Sequence, residues 1–135
     1  KMKNLSNNFI NVDVSTEKQC LYSSWKPATE NAAWDDIRRG FEDYFLKAVE
    51  ENKPRFLVVD ERNMLRPYAP EEQVWIDKNS APVVINAGVE KVAIIVSKDG
   101  FVELATESMM QDETSKGLNT RFFDSVESAE EWLFN

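Results

Sequence analysis

The sequence predicts an α/β domain: a mixed sheet of about five strands that opens with a β-hairpin and is flanked by about four helices. Three observations lead there. Two alternating segments near the start read as a hairpin. Two continuous apolar runs, Phe56-Leu57-Val58-Val59 and Val92-Ala93-Ile94-Ile95-Val96, read as strands covered on both faces. Helical periodicity fills the spaces between them, and strands alternating with helices pair in parallel through crossovers.

Taken in order, Ile10, Val12 and Val14 alternate with Asn11 and Asp13, the period of a half-buried strand. Ser15 to Lys18 is a turn, and Gln19 to Trp25 the second strand. Pro27 ends it, and Thr29 or Asn31 can cap a helix. Trp34, Ile37, Phe41, Tyr44, Phe45, Ala48 and Val49 recur at three- and four-residue spacing, a long amphipathic helix with an aromatic face that reads as core rather than ligand cage. Asn52-Lys53-Pro54 stops it. Glu61 to Ala69 is a loop, and Pro70 followed by Glu71 and Glu72 starts a second helix. Pro82 is expected to interrupt that helix, with a further helical turn over Val83 to Ala87. Asp99-Gly100 reads as a turn, and Phe101, Leu104, Ala105, Ser108 and Met109 as a third helix. Thr120 to Phe123 is a last strand, and Ser125 caps a terminal helix that turns Ala129, Trp132 and Leu133 inward.

The 135 residues suit one domain spanning 1–135. With 42% hydrophobic and 30% charged residues the balance is globular. A formal charge of −8 repels phosphate backbones and anionic headgroups, so neither nucleic acid nor membrane insertion is expected. The single Cys20 cannot form an internal disulfide and reads as a packed thiol, which points to a reducing, cytoplasmic setting.

The chain contains no His, which removes the commonest general base and metal ligand. Four glycines cannot build a P-loop or dinucleotide loop, and no enzyme activity, cofactor or metal is expected. Asp35-Asp36, Glu50-Glu51, Glu71-Glu72 and Glu130-Glu131 read as solvated helix faces. Asp60 stands apart, because it ends a buried strand, and ligands of open α/β sheets bind outside the carboxyl ends of strands. Asp99 and Asp124 belong at or near the same edge. Asp60, Arg62, Asp99 and Tyr68 can form a small polar site there; alternatively Asp60 organises the loop through backbone bonds or pairs with Arg62. Tyr68 and Trp75 flank the proline-rich loop as candidate exposed aromatics for a partner surface.

The strand Leu57-Val58-Val59-Asp60, a helix bearing Trp75, the strand Lys91 to Val96, and the closing Thr120-Arg121-Phe122-Phe123-Asp124 with Ala129-Glu130-Glu131-Trp132-Leu133 together resemble the SpoIIAA-like proteins. These are relatives of the STAS domain of anti-anti-sigma factors, also grouped with CRAL-TRIO lipid-binding domains. The resemblance covers roughly residues 55 to 135 and implies a mixed sheet flanked by helices. The absence of catalytic residues and the candidate exposed aromatics point to a non-catalytic regulatory module that docks a protein partner or a second copy of itself on the loop from Asp60 to Pro70 and the helix that follows, with Asp60, Arg62, Asn63, Tyr68, Trp75 and Asp99 as candidate contacts. The phosphorylatable Ser of anti-anti-sigma factors has no counterpart in Asp60-Glu61-Arg62-Asn63-Met64-Leu65. The CRAL-TRIO grouping implies the alternative, a binder of a small apolar or lipid-like ligand with the third helix (Phe101 to Met110) as its cover.

Overall fold

The computed structural model describes residues 2–101 and 118–135. Six strands form one sheet in chain order: β1 (Met2–Ser6), β2 (Ile10–Ser15), β3 (Cys20–Trp25), β4 (Phe56–Asp60), β5 (Lys91–Ile95) and β6 (Thr120–Phe123). The first three pair antiparallel and the last four in parallel, so the sheet is mixed and begins as a meander. The expected hairpin is β2–β3, its turn closed by Gln19 at φ 54. The additional strand β1 falls in a stretch that reads as merely polar. All five of its residues are exposed, so no face pattern marks it.

Between β3 and β4 a 3₁₀ turn (Pro27–Asn31) leads into one continuous helix, here α1. It is α-helical over Trp34–Arg39, π-helical over Gly40–Leu46 and α-helical again over Lys47–Asn52. It stops as expected, with Lys53 in the left-handed conformation (φ 45) ahead of Pro54. The cap differs from expectation. Thr29 and Asn31 lie in the 3₁₀ turn, Ala33 is the N-cap, and the Asp36 carboxylate accepts the Ala33 N–H (3.1 Å). Gly40 lets this helix approach the sheet, since a Cβ there would stand 2.9 Å from the Trp25 ring.

Helix α2 spans Pro70–Asn86 without a break at Pro82. A proline inside a helix costs a hydrogen bond, but the turn beyond it is held by packing: Val84 is 4% exposed in the main core, with Val83 and Ala87 against it. Residues 98–101 are already helical, so Asp99-Gly100 is not a turn; the Phe101 N–H donates to the Ser97 carbonyl (2.8 Å). The remainder of the expected third helix, Leu104 to Met110, lies outside the described residues. Helix α3 (Val126–Phe134) is capped by Ser125 as expected, its Oγ accepting the Ser128 N–H (3.2 Å).

Strand alternation divides the core in two. Leu21, Trp25, Leu57 and Val92 point to the face covered by α1 and α2, where Ile37, Val49 and Val84 complete the larger cluster. Cys20, Phe56, Val58, Ala93 and Ile95 point to the other face, covered by Ala129 and Leu133 of α3. Cys20 is fully buried there, and burial pushes its thiol up to about 12, an unreactive state. No helix of the described residues is long and apolar enough to cross a membrane.

Candidate functional site

The site grows from the carboxyl ends of β3 and β4 and the loop that follows. Alternation carries past the end of β4: the Glu61 N–H donates to the Ile95 carbonyl (2.8 Å), so Leu57, Val59 and Glu61 fall on one face. Glu61 therefore points into the α1 side of the sheet rather than to water. Its carboxylate accepts the Trp25 indole N–H (3.0 Å) and the Tyr68 hydroxyl (3.4 Å). Burial, with Asp60 adding like charge, pushes Glu61 up to about 7, although both donors pull the other way. Burial and the facing Glu61 likewise raise Tyr68, which stays protonated.

Asp60 itself is a loop organiser. It accepts the Arg62 backbone N–H (3.0 Å) and both Nε (3.0 Å) and Nη2 (2.7 Å) of the same guanidinium. Farther along, Arg66 makes a fork to Glu72 (2.8 and 2.9 Å), and Glu72 also accepts the Ala69 N–H that opens α2 (2.9 Å). Those bonds hold Glu72 at about 2. Its reading as a solvated helix face is thus corrected, because Glu72 is almost fully buried. Thr29, fully buried in the 3₁₀ turn, ties the middle of the loop from below. Its hydroxyl donates to the Asn63 carbonyl (2.7 Å) and accepts the Leu65 N–H (3.1 Å).

Of the sequence candidates, Asp60 and Arg62 are brought together, with each other as partners. Asn63 serves through its backbone carbonyl. Asp99 is exposed in the helical residues that follow β5, at the same sheet edge as Asp60, without a hydrogen bond to it among the described residues. Tyr68 and Trp75 are not the exposed aromatics expected. Both are half-buried against the main core, and Trp75 meets Trp34 (5.5 Å) and Phe41 (6.3 Å) edge-on. Two aromatic neighbours compete for Trp75 more strongly than water does.

The exposed large apolar side chains around this loop are instead Leu65 (47%), Val74 (64%) and Ile85 (44%). Residues 74 and 85 are eleven apart, three helical turns, so they share a stripe of α2 on which Ala81 also falls. Sequence reading missed them and Glu61. The signal for Glu61 was its period-two spacing after Leu57 and Val59.

No family model, curated protein or solved structure matches this chain. Chemically, the arrangement offers a pinned loop, a neutral-range acid beneath it, and apolar side chains displayed outside. Among the described residues no cluster of three His, Cys, Asp or Glu is placed to hold a metal ion.

Proposed function

We propose that this protein is a non-catalytic interaction module that docks a protein partner, or a second copy of itself, on the loop 61–69 and the outer stripe of α2. The observation that supports it is the fate of the loop's polar groups. Asp60, Glu61 and Glu72 are each bonded within the protein, while Leu65, Val74 and Ile85 face solvent. A loop already held in one conformation loses little freedom on binding, so apolar contacts translate efficiently into affinity. Docking here needs no phosphorylation switch, in keeping with the absence of Ser and Thr from residues 60–65.

The alternative, a binder of a small apolar or lipid-like ligand covered by residues 101–110, depends on a segment that beyond Phe101 lies outside the described residues. Grooves among the described residues include one of about 420 Å³, in whose lining polar side chains such as Gln19, Asn52, Arg55 and Glu90 dominate, and one of about 560 Å³ that mixes Phe123 and Trp132 with the charged Lys91, Arg121 and Glu131. The first does not suit an apolar guest.

Native mass spectrometry of the protein purified gently from its own host tests the proposal. A dimer mass, or the mass of a second protein, is expected, and Val74→Glu or Ile85→Glu should remove it while leaving the circular dichroism spectrum unchanged. A bare monomer, or a small-molecule adduct, overturns it.

A further inference from the structure

A second surface lies at the opposite end of the sheet from β1, between edge strand β6 and helix α3. The groove of about 560 Å³ is lined by Lys91, Arg121 and Phe123 from the sheet and by Ser128, Glu131, Trp132 and Asn135 from α3. Its charge is unusual for this protein. Five of the six arginines (Arg38, Arg39, Arg55, Arg62 and Arg66) pair with carboxylates. Arg121 pairs with none among the described residues; its guanidinium stacks on Trp132, 5.3 Å from the ring. Lys91 lies 5.1 Å from the same ring and donates one hydrogen bond to the Trp132 carbonyl (3.1 Å). An indole positions two cations without neutralising either, and the guanidinium N–H groups remain donors.

The shape of the groove says what such donors face. Ser128, Glu131/Trp132 and Asn135 follow helical spacing over seven residues, roughly 10 Å of helix, which matches about three residues of extended chain. Beside them β6 is the terminal strand of the sheet. The carbonyls of Asn119 and Phe123 accept from β5, so by alternation the backbone groups of Thr120 and Phe122 point away from it, along an edge that pairs with no other strand among the described residues. Glu131, the one side-chain carboxylate of the lining among the described residues, is exposed and bonds neither cation. Its field disfavours a bare anion and leaves the advantage to a ligand that adds backbone hydrogen bonds.

We propose that this groove binds an extended acidic peptide segment of a partner protein. The segment adds to the edge of β6 and places a carboxylate between Arg121 and Lys91. This surface is separate from the loop 61–69 and does not rest on the docking proposed there.

The test uses the full chain and a short fluorescein-labelled peptide of alternating Glu and Val, with its Gln-for-Glu counterpart as control. Fluorescence anisotropy should show binding of the acidic peptide that weakens with added NaCl. Arg121→Gln and Lys91→Gln should each reduce affinity about tenfold, the loss of a charge-assisted hydrogen bond, and Glu131→Gln should increase it. The amide resonances of Thr120 and Phe122 should move on titration. Arg121 is exposed, so its replacement is compatible with folding, and Lys91→Gln provides a second reading. Equal binding of the Gln peptide overturns the proposal, as does an unchanged affinity in both variants. Full displacement by millimolar inorganic phosphate, or amide shifts absent from β6, shows a simple anion site and overturns it too. Loss of peptide binding through self-association of the chain assigns the groove to a second copy and likewise overturns it.

Discussion

Glu61 shows how one side chain can link a strand, a loop and the ambient pH. Its ordinary value is 4.5, and burial raises it to about 7 in the folded protein. The folded state then holds the proton more tightly than the unfolded state. Stability from this group is complete below about pH 4.5 and is lost as pH rises through about 7, a fall of up to about 3 kcal/mol. Glu72 runs the other way: lowered to about 2, it contributes stability above about pH 4.5 that is lost as pH falls through about 2. Thermal melts across pH 5 to 8 should show the melting temperature declining in the native protein and flat in Glu61→Gln. A parallel decline in both would remove Glu61 from the explanation. Gly40 makes a second test at this scale. Gly40→Ala pushes a methyl against Trp25 and should cost about 1–3 kcal/mol in urea unfolding. A neutral result would mean that the π-helical segment shifts to make room.

At the scale of elements, α2 and the loop before it carry the informative contradictions. Pro82 reads as a stop because it lacks an N–H, yet α2 continues, since Val84 is buried behind it. Packing of a few apolar side chains exceeds the roughly 3 kcal/mol that an interior proline costs. Because Pro82 is itself exposed, Pro82→Ala should restore the hydrogen bond and raise stability by about 1–3 kcal/mol, read from the urea midpoint. The loop 61–69 is long and rich in proline, features that ordinarily mean an open connection. Thr29 and the Arg66–Glu72 fork hold it from two sides instead. Amide exchange should show the Leu65 N–H protected, and Thr29→Val should abolish that protection while leaving the Ala129 amide in α3 unaffected. Unchanged exchange at Leu65 would mean that the turn holds without the hydroxyl.

For the molecule as a whole, six strands and two unequal cores set the order of stability. The centre of the sheet, β3 to β5, is covered on both faces, whereas β1 is exposed along its length. Global unfolding should therefore govern exchange in β4, and β1 should open first. Leu133→Ala, which empties the smaller core, should cost about 2–5 kcal/mol despite lying near the end of the chain.

Periodicity alone determined the hairpin, the two buried strands, the aromatic face of α1 and the Ser125 cap, because each depends on residues close in sequence. The fold class followed, since alternating strands and helices leave few ways to bury both kinds of face. Tertiary structure decided between the pairings that the sequence left open. Asp60 took Arg62 and Glu72 took Arg66, which left Arg121 to stack on Trp132. It also drew Tyr68 and Trp75 inward and turned Val74 and Ile85 outward. The physical reason is that burial of a long side chain, and the partner it then requires, depend on segments distant along the chain. Trp25 and Glu61, which share a hydrogen bond (3.0 Å) across thirty-six residues of sequence, are the plainest case.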